Sequence, residues 1–122
     1  MKLGPATPIL RMFDPALARA FYVDWLGLTV AFEHRFAPDM PLYLGIERDG
    51  MELHLTEHEG DTTPHTRIRI AAEDIDALHA ELTRKPYAGK RPGPVETKDW
   101  GERDLTLVDP FGNRLTFFER LR

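Results

Sequence analysis

The 122-residue sequence contains no cysteine and no serine, and these two absences remove several kinds of chemistry. Without cysteine there are no disulfides, no thiolate nucleophiles and no zinc sites that use sulfur. Without serine, a Ser-His-Asp catalytic triad is excluded. The sequence also lacks a Gly-rich phosphate-binding loop, and no pair of carboxylates has a spacing that favours acid–base catalysis. No catalytic residue is therefore predicted.

Long apolar runs and clusters of one charge are missing as well. No stretch approaches the ~20 apolar residues that a membrane-spanning helix needs. Met1 leads into Lys2-Leu3-Gly4-Pro5, which does not resemble the apolar segment of a secretory signal. The net charge is −4 and the 16 basic residues are scattered, which argues against a nucleic-acid partner. We expect one cytoplasmic globular domain.

The sequence contains an order of secondary-structure signals that occurs twice. In the first half, Asp14 and Pro15 favour the start of a helix and Gly27 favours its end. Strands are predicted at 6–12, 28–36, 42–47 and 51–56, with an Asp49-Gly50 turn joining the last two. This half therefore reads as a strand, a helix and three further strands.

The second half repeats that order after a polar linker at 57–64. It predicts a strand at 66–70, a helix at 73–84, a short strand near 95–97 and a hairpin of 104–108 with 114–118. Asp74 and Asp76 are interpreted as helix-capping and first-turn charges. We predict a single α+β domain of two paired βαβββ modules, module one at about 6–57 and module two at about 66–119. Its curled mixed sheet carries the helices on the outer face.

Alternation along the strands separates an apolar side from a polar and aromatic side. Leu53 and Leu55, for example, lie opposite to Glu52, His54 and Thr56. Because helices cover only one face of such a sheet, the other face is available to curl around a ligand. That face is predicted to carry His54, Arg67, Arg69, Thr116 and Phe118.

Four motifs carry a resemblance to a known family, and they span nearly the whole chain. They are Ile9-Leu10-Arg11-Met12-Phe13-Asp14, Ala20-Phe21-Tyr22 with Leu26-Gly27-Leu28, Glu73-Asp74-Ile75-Asp76-Ala77-Leu78, and Asp109-Pro110-Phe111-Gly112-Asn113-Arg114. In this order the sequence resembles the vicinal oxygen chelate superfamily, which includes glyoxalase I, extradiol dioxygenases, and fosfomycin and bleomycin resistance proteins. Trp100-Gly101-Glu102-Arg103 is particularly similar to bleomycin resistance proteins. The resemblance implies paired βαβββ modules and a homodimer, often with an exchanged N-terminal strand.

Enzymes of that superfamily hold one divalent metal with His and Glu side chains from four strands. The resemblance places the corresponding positions at Thr7, His54, Arg67 (or His65, if the loop shifts by two residues) and Thr116. Threonine is a poor ligand for such metals, and the cationic arginine repels them. Because fewer than three ligands survive, neither a metal nor another cofactor is predicted.

The segment His54-Leu55-Thr56-Glu57-His58-Glu59 is rich in metal-ligating residue types. On a strand, however, His54 and His58 would be ~13 Å apart, which is too far for one ion. Residues 57–59 are therefore interpreted as a solvated loop. His54 itself has three possible roles: a polar contact that lines the cup, a histidine satisfied by its neighbours, or a metal ligand. His34 and His79 are predicted at the surface.

Aromatic residues provide the remaining functional signal. Phe32 and Phe36 share one face of their strand, and Trp100 precedes a glycine in a loop where it could stack on a planar ligand. The alternatives are core packing for the two phenylalanines and dimer-interface packing for Trp100; Trp25 is expected in the core. Arg67 and Arg69 would favour an anionic or carbonyl-rich ligand, which argues against the cationic bleomycin itself.

The predicted function is metal-free binding of a small molecule, such as an antibiotic or a related planar ligand, in a cup shared by a homodimer. Two alternatives are a divalent-metal lyase or dioxygenase, and an interaction protein with a filled cup. The predicted ligand-binding residues are Phe32, Phe36, His54, Arg67, Arg69, Trp100, Thr116 and Phe118.

Overall fold

The computed structural model describes residues 1–121, which form two modules of four strands and one helix each. Module one comprises β1 (Ile9–Arg11), α1 (Pro15–Arg19) with its π-helical continuation (Ala20–Trp25), β2 (Thr29–His34), β3 (Tyr43–Arg48) and β4 (Met51–Thr56). Module two comprises β5 (Arg67–Ala71), α2 (Ile75–Arg84), β6 (Glu96–Lys98), β7 (Glu102–Val108) and β8 (Arg114–Arg120). Neither helix in this part of the chain has the length and apolar character to cross a membrane.

The two sheets have the same topology. Their strand orders are β1-β4-β3-β2 and β5-β8-β7-β6, with the first strand of each module parallel to its last and the other pairs antiparallel. The predicted α+β fold of two βαβββ modules is confirmed. The largest boundary difference is in β1, which begins at Ile9 and not at residue 6, because it pairs with β4 only from His54 to Thr56.

The first helix, α1 with its π-helical continuation, begins and ends where the sequence predicts. The Asp14 carboxylate accepts hydrogen bonds from the amides of Ala16 and Leu17, and Gly27 ends the helix with a φ of +81°. Its buried residues Ala18, Phe21, Tyr22 and Trp25 follow the helical period, and Leu17 lies at the edge of that face with 50% exposure.

One hydrophobic core lies on the helix side of both sheets and joins the two modules. Trp25 is buried there, as predicted, and donates its indole hydrogen bond to the carbonyl of Leu82 in α2 at 3.0 Å. Arg48, at the end of β3, forms a bidentate pair with Glu81 of α2 at 2.9 Å for each bond. Asp74 caps α2 by accepting from the Ala77 amide, which confirms its predicted role.

A buried carboxylate ties the β7–β8 turn to module one. The Asp109 side chain accepts hydrogen bonds from the Tyr22 hydroxyl (2.6 Å), the Phe111 and Asn113 amides (2.9 and 2.8 Å) and the Asn113 carboxamide (2.8 Å). That carboxamide also donates to the carbonyl of Arg11 at 2.9 Å. Burial, with the neighbouring Asp109 as a second cause, raises the pKa of Tyr22 well above its usual value.

Candidate functional site

The face of each sheet opposite the core, here called the helix-free face, carries six of the eight predicted site residues; Phe36 and Trp100 lie in adjoining loops. In module one an irregularity in β2 decides which side chains reach it. The pairing register shifts between Val30 and Phe32, so that Val30 lies opposite the buried Ile46 while Phe32 lies opposite Gly45. The shift places Phe32 on the same face as Tyr43 and His54, as expected for a β-bulge that redirects a side chain.

Gly45 makes room for the Phe32 ring. A Cβ at residue 45 would overlap that ring, so only glycine lets the phenylalanine lie across β3. The Phe32 ring stacks with Tyr43 (centroids 6.2 Å apart, planes at 12°) and meets His54 edge-on at 5.2 Å. We refer to Phe32, Tyr43 and His54 as the aromatic wall. Phe32 is 40% exposed, which excludes the alternative of core packing for this residue.

His54 is held by its neighbours within the wall. Its Nδ1 lies 2.7 Å from the Tyr43 hydroxyl, and its buried Nε2 lies 3.6 Å from a Glu52 carboxylate oxygen without a hydrogen bond in the described residues. Burial, followed by the charges of Asp61 and Glu52, raises the pKa of Tyr43. The Tyr43 hydroxyl therefore remains protonated at neutral pH and fixes the orientation of the imidazole.

Phe36 and the other histidines lie further from this cluster. Phe36 falls just beyond β2 and is 76% exposed, so core packing is excluded for it as well. Its ring contacts His34 and His58, with centroids 5.0 and 6.2 Å away. His34 is exposed, as predicted; His79 is half-buried and hydrogen-bonds the carbonyl of Gly93 at 3.0 Å. The prediction of a purely surface His79 is thus only partly right, because the Pro/Gly-rich loop folds back onto α2.

The helix-free face of module two contains a cleft of about 590 Å³, lined by Arg69, Trp100, Gly101, Glu102, Arg120 and Leu121. Arg69 donates to the buried Glu102 carboxylate at 2.5 and 3.3 Å and lies over the Phe118 ring at 4.2 Å. The hydrogen bond from Arg69, with a smaller contribution from Trp100, lowers the pKa of Glu102. Arg69 is therefore on the predicted face, but its charge is already neutralised within the chain.

Trp100 lies at the rim of this cleft and is 68% exposed. It occupies the tight turn between β6 and β7, in which the Gly101 amide donates to the Lys98 carbonyl at 3.1 Å. Gly101 has a φ of +82°, a conformation that favours glycine. This turn presents the indole to solvent beside Glu102, so its flat surface is accessible for stacking.

The other two predicted residues of module two differ in accessibility. Thr116 is 6% exposed, and its hydroxyl lies 2.9 Å from that of Thr106. Arg67 is exposed on the helix-free face, opposite Arg114 of β8. The structure thus places Arg67 within reach of solvent, whereas Thr116 lies beneath the surface with its hydroxyl engaged.

The residues at the superfamily's metal positions do not fit a divalent ion. Ile9, and not Thr7, lies opposite His54 in the sheet. His65 packs against Gly112 at the β7–β8 turn, where a Cβ would overlap the imidazole. The Thr116 hydroxyl is hydrogen-bonded to that of Thr106. Residues 1–121 contain no group of three or more His, Asp or Glu side chains arranged to bind a metal. Within the described residues, the donors that a tight metal site requires are thus not brought together.

Comparison with known proteins identifies the class to which this two-module fold belongs. A family model described as a glyoxalase superfamily protein matches residues 2–122. The chain therefore belongs to the glyoxalase superfamily, which is the vicinal oxygen chelate superfamily that the motifs indicated. No curated protein matches the sequence.

Three solved structures illustrate the likeness in fold. A bleomycin-binding protein complexed with bleomycin shares 22% identity over 97% of this chain and 99% of its own, with a TM-score of 0.74. The bleomycin resistance determinant encoded on transposon Tn5 shares 21% identity over 97% and 98% of the two chains, with a TM-score of 0.75. TioX from Micromonospora sp. ML1 shares 18% identity over 96% and 100%, with a TM-score of 0.74.

Proposed function

We propose that this protein binds a planar small molecule on its helix-free face without a metal, and sequesters that molecule rather than transforming it. The observation that carries the proposal is the aromatic wall. Because residue 45 is a glycine, the partly exposed Phe32 ring can lie over it, beside Tyr43 and His54. Large aromatic surfaces that stay exposed and are held in place by their neighbours are typical of binding sites for apolar, flat ligands. The exposed Trp100 supplies a second such surface on module two.

Two further observations support a binding role over catalysis. A structurally similar protein of the same superfamily was solved in complex with bleomycin, an antibiotic. The side chains at the superfamily's metal positions are largely threonine and arginine, which supports a metal-free role over that of a divalent-metal lyase or dioxygenase. The proposed ligand contacts are Phe32, Phe36, His54, Arg67, Trp100 and Phe118. Arg69 and Thr116, whose polar groups are engaged by Glu102 and Thr106, are proposed to contribute to the shape of the site.

Trp100 allows the proposed function to be tested directly by fluorescence. Titration with bleomycin and a panel of planar antibiotics should quench the exposed Trp100 for at least one compound, while the buried Trp25 provides a constant background. Stacking on an indole contributes on the order of 1–3 kcal/mol, so Trp100→Ala should weaken binding of that compound about fivefold or more, and Trp100→Phe should weaken it less. Calorimetry on each variant measures the affinities without relying on the fluorophore.

The matched control for this experiment is Phe13→Ala, which removes an exposed aromatic ring outside the proposed residues. It should leave the affinity unchanged. The proposal is wrong if no compound of the panel binds, or if binding requires added divalent metal and is abolished by a chelator.

We also propose that a second copy of the chain completes the cup. Every residue of the edge strand β2 is exposed, including the apolar Val30 and Phe32. Residues 1–7 are exposed as well, and Leu3 among them is 84% exposed. An uncovered edge strand and an extended apolar segment are both features that a neighbouring chain can cover by pairing or strand exchange.

Light scattering should accordingly give a molar mass of twice the 14.0 kDa chain mass at micromolar concentration. Val30→Lys places a charge on the uncovered edge strand. Because this charge would have to be buried between the two chains of the dimer, the variant should shift the molar mass toward that of one chain. The matched control is Leu17→Lys, which places the same charge on the exposed turn of α1 and should leave the mass unchanged. A single-chain mass for the unaltered protein contradicts the proposed dimer.

A further inference from the structure

Tyr43 and His54 form a hydrogen-bonded pair within the aromatic wall. The Tyr43 hydroxyl oxygen lies 2.7 Å from Nδ1 of the imidazole, and this contact is only partly buried. The imidazole stands at 83° to the Phe32 ring and at 72° to the Tyr43 ring, with each centroid 5.2 Å away. Because the hydroxyl is a substituent of the Tyr43 ring, a flat ligand that packs against the wall has its rim next to this oxygen.

Glu52 determines which nitrogen of the His54 imidazole carries the proton. Nε2 is buried without a hydrogen bond in the described residues, and it lies 3.6 Å from a carboxylate oxygen of Glu52. A lone pair on Nε2 would face that negative charge and be repelled, whereas an N–H at the same place is attracted to it. The neutral imidazole therefore carries its proton on Nε2, and Nδ1 keeps a lone pair that accepts a hydrogen bond.

The hydrogen bond of the pair consequently has one direction, from the Tyr43 hydroxyl to Nδ1. Burial, followed by the charges of Asp61 and Glu52, raises the pKa of Tyr43 and keeps this donor protonated. A hydroxyl has one hydrogen to donate and two lone pairs that accept. Since His54 takes the hydrogen, and no other group within residues 1–121 is hydrogen-bonded to the oxygen, Tyr43 offers only lone pairs to a ligand.

We propose that Tyr43 selects planar aromatic ligands that carry a hydrogen-bond donor at the rim, such as a ring N–H or a hydroxyl, and that His54 is the positioning residue that sets this selectivity. This inference rests on the proposed function and narrows the chemical class of its ligand. It differs from the anionic or carbonyl-rich ligand that the arginines of module two led us to expect, because such oxygens accept hydrogen bonds and do not donate them.

The test compares three flat compounds that differ in the polarity of one ring position. Indole has an N–H donor, its isostere benzofuran has an oxygen in place of the N–H, and quinoline has an accepting nitrogen. The unaltered protein should bind indole about fivefold more tightly than the other two, which is the effect of one hydrogen bond between neutral groups. NMR titration measures the dissociation constants, since it is suited to weak complexes of small ligands.

Tyr43→Phe keeps the ring of the wall and removes only the hydroxyl. The affinity for indole should fall about fivefold, to that for benzofuran, and the affinity for benzofuran should stay the same. Tyr87→Phe is the matched control, because it removes a phenolic hydroxyl from a ring that stacks on Trp25 outside the wall. It should change none of the three affinities.

His54→Phe tests the direction of the hydrogen bond. Phenylalanine retains an aromatic ring beside Phe32 but has no acceptor for the Tyr43 hydroxyl, which is then free to donate to a ligand. The affinity for quinoline should therefore rise about fivefold, so that the preference for indole disappears. A purely structural role of His54 predicts no gain in affinity for any compound. Thermal unfolding without ligand checks that each variant is folded.

The outcomes separate this inference from the proposed function. The comparison of the three compounds on the unaltered protein needs no variant: equal affinities, or a preference for quinoline, overturn the selectivity and leave a planar ligand on the wall. The inference is also wrong if Tyr43→Phe weakens indole and benzofuran alike, because the residue then serves packing alone. If none of the three binds although a planar antibiotic does, the inference is wrong; if nothing in either set binds, the proposed function itself is contradicted.

Discussion

Replacing Asp109 with alanine should lower the free energy of unfolding by about 3–5 kcal/mol, the range expected when one partner of a buried charged network is removed. The carboxylate is 5% exposed and accepts four hydrogen bonds, so its loss leaves the Tyr22 hydroxyl and two backbone amides buried without an acceptor. For a chain of this size the loss corresponds to a fall of about 10 °C or more in Tm. Urea unfolding followed by circular dichroism measures the change.

Two further variants show whether the cost arises from the network and not from the turn alone. Tyr22→Phe removes one hydrogen bond of the four and should cost about 1–2 kcal/mol. Asp39→Ala, in the exposed loop between β2 and β3, removes the same charge from the surface and should cost less than about 0.5 kcal/mol. Equal costs for Asp109→Ala and Asp39→Ala would contradict the assigned role of Asp109.

The network also shows why some features could be predicted from the sequence and others could not. Strand alternation and the Asp14 and Asp74 caps depend on neighbours within a few residues, and the structure confirms them. The partners of the β7–β8 turn lie far away in the chain, since Tyr22 and Asp109 are separated by 87 positions. No local sequence pattern predicts a contact between these two residues. The sequence therefore indicates the turn only as a hairpin and as part of the family resemblance.

Arg69 illustrates the same limit within the candidate site. Alternation placed it on the correct face, because Ile68 and Ile70 pack on the core. Its neutralisation depends on Glu102, which is 33 positions away on a strand that is not its neighbour in the sheet. The charge of a face can therefore be estimated from alternation, but the charge that remains for a ligand depends on pairing across strands.

The aromatic wall depends on a register shift in β2, which strict alternation of side chains along a strand does not predict. The alternation of β3 directs Tyr43 and Gly45 to the same face as His54. Phe32 joins them because the register of β2 shifts after Val30, and the significance of Gly45 becomes visible only when the Phe32 ring lies over it. A glycine within a strand can thus indicate the close approach of another group, but the sequence does not identify that group.

Gly45→Val should both destabilise the protein and weaken its binding of a planar ligand. Valine has a higher strand propensity than glycine, so on propensity alone the substitution would be stabilising. The valine side chain would instead occupy the volume of the Phe32 ring, and overpacking of this kind costs about 1–3 kcal/mol. Because Phe32 must move away from Tyr43 and His54, we expect the affinity for the planar ligand to fall by about tenfold or more. Urea unfolding and calorimetry measure the two effects.

The double variant Phe32→Ala/Gly45→Val separates the wall from the backbone of β3. Without the Phe32 ring, valine at position 45 has room, so its destabilising effect should disappear or reverse in sign. Binding should remain weak in the double variant, because one side of the wall is absent even though the sheet is intact. Recovery of stability without recovery of binding would show that glycine is needed at position 45 to accommodate the Phe32 ring of the site, and not for the backbone of β3. If Gly45→Val is as stable as the unaltered protein and binds equally well, the arrangement of the aromatic wall is wrong.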